Sequence, residues 1–292
     1  MARDLERTAL DVLRWQAGAV VSMALLALSM AAAGHAQQAS TPPAAPAAAA
    51  EGQALAKKLS NPISDLVSVP FQFNWEQGVG PNDQTRFILN VQPVMPFSLN
   101  KDVNMIVRVI TPFVSQPPLY SGGTPTFGVS DILTSFFFSP SKGGITWGVG
   151  PVLSLPSTTE PTLGTEKWSA GPTFIVLKQT GHWTTGILWN QIWSFAGNAE
   201  RQKVSQMFVQ PFVAYQAKNL WTITLQSEST ANWEATDSKW TVPINLIFSK
   251  LSSFGPFPAS YSFGGGVFVA HPDNGPSWKI RSAITILLPR KK

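Results

Sequence analysis

From Ser68 onwards the chain alternates between apolar and polar residues. In the stretch SVPFQFNW, one series of alternate residues is apolar and aromatic and the other is small or polar: Val69, Phe71, Phe73 and Trp75 against Ser68, Pro70, Gln72 and Asn74. Successive side chains of an extended strand point to opposite faces. The alternation therefore predicts a β-strand with one apolar and one polar face.

The same pattern recurs along the rest of the chain. Its clearest repeats are TRFILNVQPVMPF, DVNMIVRVITPF, ITWGVGPVLSL, NLWTITLQSES, ASYSFGGGVFVA and SWKIRSAITILL. Turn-forming clusters such as GVGPNDQ, SPSKGG and HPDNGPS separate the repeats. Alternating segments of about ten residues, roughly twelve in number, are typical of membrane-spanning barrels. We therefore predict an all-β fold, a transmembrane antiparallel β-barrel of about 12 strands.

A soluble β-sandwich is the alternative architecture, because it shows the same alternation with its apolar face packed inward. Three features favour the barrel. The polar face is rich in Gly, Ser, Thr and Asn, tryptophans lie near segment ends as in an interfacial girdle, and only 13% of residues are charged. In a barrel lipid covers the apolar face, and the closed ring pairs every backbone group. Prolines such as Pro70, Pro93, Pro112 and Pro243 are then expected at bulges or strand rims.

The amino-terminal region predicts export. Three arginines precede the apolar run AGAVVSMALLALSMAAA, and Gly34-His35-Ala36 has the small-x-small pattern of a cleavage site. Residues 1–36 are therefore predicted to be a signal peptide cleaved near Ala36, with a retained membrane anchor as the alternative. Residues 37–60 are predicted to form a Pro/Ala-rich periplasmic linker with a short helix, and residues 61–292 an outer-membrane β-barrel. The expected location is the bacterial outer membrane.

Composition narrows the candidate chemistry. The absence of cysteine excludes disulfides and thiolate sites, and a net charge of +5 without a basic stripe argues against nucleic-acid binding. His182 and His271 lie beside turn-like sequence, and neither a nucleophile elbow nor a phosphate loop is present. We expect no catalytic residues, no metal and no cofactor. A barrel lipase that pairs His182 with a serine remains the enzymatic alternative.

The polar face supplies candidates for the lumen lining. They are Gln72, Asn74, Glu76, Arg86, Asn90, Gln92, Arg108, Asp131, Lys167, Glu228, Lys279 and Arg281. Either these side chains neutralise one another in a packed interior or they line a conduit. A barrel of about twelve strands is too narrow for the wide channel of larger porins. We expect selective passage of one small solute, or a barrel plugged by the linker and residues 53–60, with Glu228 or Asp131 as the companion of Arg108.

Longer stretches resemble a known family. LSNPISDLVSVPFQFNW, GPNDQTRFILNVQPVMPFSLN, SFFFSPSKGGITWGVGPVLSLP and GTEKWSAGPTFIVLKQ are similar to segments of bacterial outer-membrane proteins often labelled transporter. These are grouped with the phenol-degradation-pathway (MetA-pathway) family and are sometimes mislabelled neuromedin U. The resemblance covers residues 56–289. It implies a barrel that passes small hydrophobic or aromatic compounds, and it assigns no catalytic or binding residues.

Three functions follow as expectations. The first is an outer-membrane conduit for small solutes, hydrophobic or aromatic ones among them. A barrel enzyme acting on lipid and a structural barrel without transport are the alternatives. The expected partners are outer-membrane lipid, the outer-membrane assembly machinery and a small-molecule solute, with no nucleic acid.

Overall fold

The computed structural model describes residues 45–288. The predicted signal peptide, its cleavage site near Ala36 and the last four residues lie outside this range. Within it, one α-helix, α1 (Ala45–Leu59), precedes fifteen β-strands, and a 3-10 helix covers Pro161–Leu163. In the described range, no helix combines the length and the apolar character needed to cross a membrane.

The strands follow one another along the chain with short connections. They are β1 (Val67–Val79), β2 (Gln84–Val91), β3 (Val94–Ser98), β4 (Val103–Gln116), β5 (Thr126–Val129), β6 (Ile132–Pro140), β7 (Thr146–Leu155), β8 (Lys167–Thr180), β9 (Trp183–Gly197), β10 (Ser205–Gln216), β11 (Trp221–Ser227), β12 (Ser229–Asn232), β13 (Trp240–Phe254), β14 (Phe257–Ala270) and β15 (Trp278–Leu288).

The strands close into a ring of antiparallel pairs. Each position in the ring pairs with the next along the chain, and β1 pairs with β15 from Val67–Leu288 to Gln77–Trp278. Three positions consist of two consecutive segments each, namely β2 with β3, β5 with β6, and β11 with β12. The fifteen segments therefore make a closed 12-stranded antiparallel barrel, and the predicted fold class is confirmed.

The wall has an apolar outer face and a more polar inner face. In β13, Ile244, Leu246 and Phe248 are 40%, 44% and 41% exposed, whereas Asn245 and Ile247 between them are buried. An enclosed interior buries one series of alternate residues and leaves the other series outside. The exposed apolar series is what a lipid-covered wall requires.

The two ends of the barrel differ in the length of their connections. At the end where Val67 and Leu288 lie, the connections contain two to five residues, and we call this the short-turn end. At the opposite, long-loop end they contain four to eleven residues. Outer-membrane barrels have short periplasmic turns and longer extracellular loops.

Residues 53–64, here called the plug segment, pack against the inner wall at the short-turn end. Gln216 Nε2 donates to the Gln53 carbonyl at 2.7 Å, and Gln179 Nε2 donates to the Lys57 carbonyl at 2.9 Å. Ala56 is buried against Leu251 and Leu287. Further along, Ile63 is buried in an apolar cluster with inward-facing residues of six positions in the ring: Val94, Ile106, Phe137, Ile175, Leu177, Leu188 and Phe212.

The prolines explain part of the strand segmentation. The Pro70 carbonyl accepts a hydrogen bond from Gln92 N, next to the gap between β2 and β3, and the Pro112 carbonyl accepts from Ser130 N, in the gap between β5 and β6. Proline cannot return a backbone N–H, so the ladder opposite it is incomplete. Pro93 lies in a gap and Pro243 at a register shift, as expected. The expectation is wrong for Pro70 and Pro112, which lie inside strands.

Candidate functional site: the polar lumen

A carboxylate between β11 and β12 is the centre of a charged network. Glu228 accepts two hydrogen bonds from Arg281, Nη1 to Oε1 at 2.8 Å and Nη2 to Oε2 at 2.6 Å. Lys279 Nζ lies 3.3 Å from Glu228 Oε2. Arg281 Nε donates to Asn74 Oδ1 at 2.7 Å, so the network extends from β15 to β1. Both cations are buried, which is tolerated because each is paired.

A second ion pair lies beside this network. Glu76 and Arg86 are cross-strand partners, and Arg86 donates from Nε and Nη2 to Glu76 Oε2 at 2.9 and 2.6 Å. Glu76 is also the cross-strand partner of Lys279 on β15. The pairing of β15, β1 and β2 thus sets Lys279, Glu76 and Arg86 side by side as alternating charges, an arrangement that lowers the cost of enclosing them.

Arg108, on β4, has a different kind of partner. Its Nη2 donates to Oε1 of Gln92 at 2.7 Å, a neutral amide. Throughout residues 45–288 no carboxylate forms an ion pair with Arg108, although Glu228 acts on it electrostatically. The expected contact with Asp131 is not formed: Asp131 lies between β5 and β6, where its Oδ2 accepts from the backbone N and the hydroxyl of Thr165. We use the term lumen cluster for these groups: Asn74, Glu76, Arg86, Gln92, Arg108, Glu228, Lys279 and Arg281.

The remaining predicted lumen residues lie elsewhere. Asp131 and Lys167 belong to the long-loop end, where Lys167 is buried opposite Gly197. Gln72 and Asn90 are half-buried cross-strand partners of each other. Of the twelve candidates, eight thus belong to the lumen cluster and four do not.

Two glutamines that sequence reasoning missed complete the network. Gln210 Nε2 donates to Gln226 Oε1 at 3.1 Å, and Gln226 Nε2 donates to Glu228 Oε1 at 3.3 Å. Gln210 lies in VSQMFVQPFVAY, where apolar residues interrupt the alternation. Gln226 lies two residues before Glu228 in the regular NLWTITLQSES segment, so its inward direction was available from parity.

Open space adjoins the lumen cluster. A cavity of about 260 Å³ lies between the plug segment and the wall, and Arg108, Gln92 and Gln210 line it together with Thr222 and Thr224. Two larger cavities, of about 510 and 550 Å³, are lined by residues of the long-loop end. Both of these include Gln202, Gln206 and Asn232 in their lining, so they are adjacent.

The histidines lie away from the lumen cluster. The ring of His182 lies 5.9 Å from that of Tyr215 at the short-turn end, and His271 contacts the Pro272 carbonyl in a long-end loop. Among the described residues, no group of three or more His, Asp or Glu side chains is placed to hold a metal ion. The chemistry of the lumen is therefore that of paired charges, amides and hydroxyls around a small cavity.

The barrel is similar to solved outer-membrane proteins. It matches the COG4313 outer membrane channel from Pseudomonas putida F1 with a TM-score of 0.57 and 14% identity, over 76% of this chain and 94% of that chain. It matches the NanC porin with a TM-score of 0.50 and 8% identity, over 76% of this chain and 100% of that chain.

A third match, to the outer membrane phospholipase A from Escherichia coli, has a TM-score of 0.44 and 10% identity, over 81% of this chain and 98% of that chain. No protein-family model and no curated protein sequence matches the chain. At these identities the similarity concerns the fold, which is that of bacterial outer-membrane β-barrels.

Proposed function

We propose that this protein is an outer-membrane conduit for small solutes, hydrophobic or aromatic ones among them, and that it is not an enzyme. The observation that carries the proposal is the lumen cluster beside a cavity of about 260 Å³. Enclosing charges costs several kcal/mol per ion before pairing compensates. A structural barrel without transport could fill its whole interior with apolar side chains, as this barrel does around Ile63.

The route through the barrel runs from the long-loop end to the short-turn end. A solute enters through the two adjacent cavities of the long-loop end and passes the lumen cluster into the smaller cavity. The plug segment then lies between the solute and the short-turn end, because Ala56 and Leu59 line this cavity. Passage therefore requires the plug segment to move.

The outer surface supports a location in the outer membrane, with lipid and the assembly machinery as partners. Exposed tryptophans lie at both ends of the wall: Trp183 and Trp221 at the short-turn end, and Trp168, Trp193, Trp240 and Trp278 at the long-loop end. Two girdles of this kind anchor a barrel at the two membrane interfaces. Export by a signal peptide cleaved near Ala36 is part of the same proposal.

The proposed solute class comes from the sequence resemblance. The sequence stretches quoted above resemble the phenol-degradation-pathway family, and the fold is similar to that of a COG4313 outer membrane channel. The family resemblance favours small aromatic compounds, and the similarity to a channel supports the conduit. Membership of that family is accordingly a proposal for this chain.

Single-channel recording in planar bilayers tests the conduit. The purified, folded protein should give discrete conductance steps, and addition of a small aromatic solute such as phenol should interrupt them. A variant in which the plug segment is released, Ile63→Asp, should conduct more. If neither protein conducts and neither passes solute in liposome-swelling assays, the conduit is rejected and the structural barrel takes its place.

A further inference from the structure

The lumen cluster contains more positive than negative charge. Its cations are Arg86, Arg108, Lys279 and Arg281, and its carboxylates are Glu76 and Glu228. Arg86 forms an ion pair with Glu76, and Lys279 and Arg281 both form ion pairs with Glu228. Arg108 is left with the neutral amide of Gln92 as its hydrogen-bond partner.

Arg108 retains unused donors. A guanidinium carries five N–H donors in a planar fork, and the described contacts of Arg108 use one of them, to Gln92 Oε1. The natural complement of such a fork is a carboxylate bound through two parallel hydrogen bonds. Within the part of the chain that the structure describes, both lumen-cluster carboxylates are already engaged by other cations.

The free side of Arg108 adjoins a cavity of suitable size. The cavity of about 260 Å³ is slightly smaller than the small-molecule pockets of about 300 Å³ and above, so it suits a compact solute. Besides Arg108, its lining includes the amide of Gln210 and the hydroxyls of Thr222 and Thr224, on strands across the ring from β4, and the apolar side chains of Leu59 and Leu251. A solute with one charged end and one compact apolar end matches this lining.

We infer that this cavity is a binding site for a small organic carboxylate, held through Arg108. The inference rests on the proposed conduit and makes it more specific, because it selects an organic anion over a neutral aromatic compound. Gln92 holds the guanidinium in place, and the excess positive charge of the lumen cluster favours an anion over an uncharged molecule of the same shape. The apolar end of the solute then packs towards Leu59 of the plug segment.

Equilibrium dialysis with two molecules of similar shape tests the site. The probes are radiolabelled benzoate and benzyl alcohol, and the protein is the full mature chain in nanodiscs of zwitterionic lipid at neutral pH. The native protein should bind benzoate at least about tenfold more tightly than benzyl alcohol, because the carboxylate gains charge-assisted hydrogen bonds. Equal affinities for the two probes would overturn the proposal without any variant.

Substitution of Arg108 localises the effect. Arg108→Gln keeps a polar side chain but removes the charge, and should weaken benzoate binding by about tenfold or more while leaving benzyl alcohol binding within about twofold. Lys250→Gln is the matched control, since it removes a cation that lies against Trp221, outside the lumen cluster. Unchanged benzoate binding in Arg108→Gln, or an equal loss in Lys250→Gln, would refute a site at Arg108.

Binding and transport fail separately. Dialysis measures occupancy at equilibrium, so a barrel that conducts nothing still shows the site if the site exists, and only the proposed conduit is then lost. Conversely, if the protein conducts but binds benzoate no more tightly than benzyl alcohol, the carboxylate site is refuted and the conduit is retained. Inorganic phosphate and unlabelled benzoate are compared as competitors of radiolabelled benzoate. If phosphate displaces the label at a lower concentration than unlabelled benzoate does, the assignment to carboxylates is overturned.

Discussion

Release of the plug segment is the most direct perturbation of the closed lumen. Ile63 is 5% exposed and packs against inward-facing side chains that include Ile106, Phe137 and Ile175. Gly148 faces it so closely that an added Cβ would lie 3.1 Å from Ile63 Cδ1. The native wall is therefore shaped around this one side chain, and its removal leaves a cavity that the rigid strands cannot fill.

The magnitude follows from the burial. Truncation of a buried isoleucine costs about 2–5 kcal/mol, and every 1.4 kcal/mol is a factor of about ten. If that cost falls on docking of the plug segment, Ile63→Ala shifts the ratio of docked to released plug by a factor of roughly 30 to 4,000. Ile63→Asp shifts it further, because an unpaired carboxylate is not tolerated in an apolar cluster. The barrel itself keeps its strand pairing, since Ile63 precedes β1.

Two assays measure the result. Trypsin should cleave after Lys57 or Lys58 much faster in Ile63→Asp than in the native protein, because release exposes the segment. Single-channel conductance should rise in the same variant. Ala54→Asp is the matched control, since it adds the same charge at an exposed position of α1. Faster cleavage with unchanged conductance would refute the plug as the barrier to passage, and unchanged cleavage would show that Ile63 contributes less to docking than its burial indicates.

Three further predictions concern the wall and the lumen cluster. Phe73→Arg should impair folding into membranes, because a charge on the lipid face costs about 2–4 kcal/mol at the midplane. Gln72→Arg, on the inner face, should still give a heat-modifiable band on gels. Equal loss of folding in the two variants would contradict the assignment of faces. Arg281→Ala should lower stability by about 3–5 kcal/mol by leaving Glu228 without its main partner, and an unchanged urea midpoint for folding into lipid vesicles would contradict this. Arg108→Ala should shift the reversal potential towards cations in a salt gradient, and an unchanged potential in a conducting protein would reduce Arg108 to a packing residue.

The alternation of the sequence was sufficient to predict the ring but not what fills it. Strand type, number and the apolar outer face depend on local periodicity, and segments such as SWKIRSAITILL carry that information in full. The docking of Ile63 depends on side chains from strands up to about 150 residues away, and no local pattern encodes that distance. The gaps beside Pro70 and Pro112 follow from proline chemistry, but their partners Gln92 and Ser130 are known only once the register is fixed.

The candidate site shows the same division. Parity placed Glu76, Arg86, Lys279 and Arg281 on the inner face, and the structure brings them together. The alternation pattern could not identify the partner of Arg108, because the barrel brings together strands that are distant in sequence. Glu228, for example, contacts Arg281 on β15. The inward direction of Gln210 could not be predicted, because apolar residues interrupt the alternation in VSQMFVQPFVAY.

Pairing of β1 with β15 has a consequence for how the protein is made. The seam joins Val67 to Leu288, so the ring cannot be completed before the last strand has been synthesised and exported. Lys279 and Arg281, the two cations that pair with Glu228, also lie on β15. Until β15 has been exported, Glu228 lacks the two cations that pair with it, and a chain shortened within β15 loses both the closure of the ring and the partners of Glu228. The ion pairs of Glu228 therefore form only in a chain that contains β15.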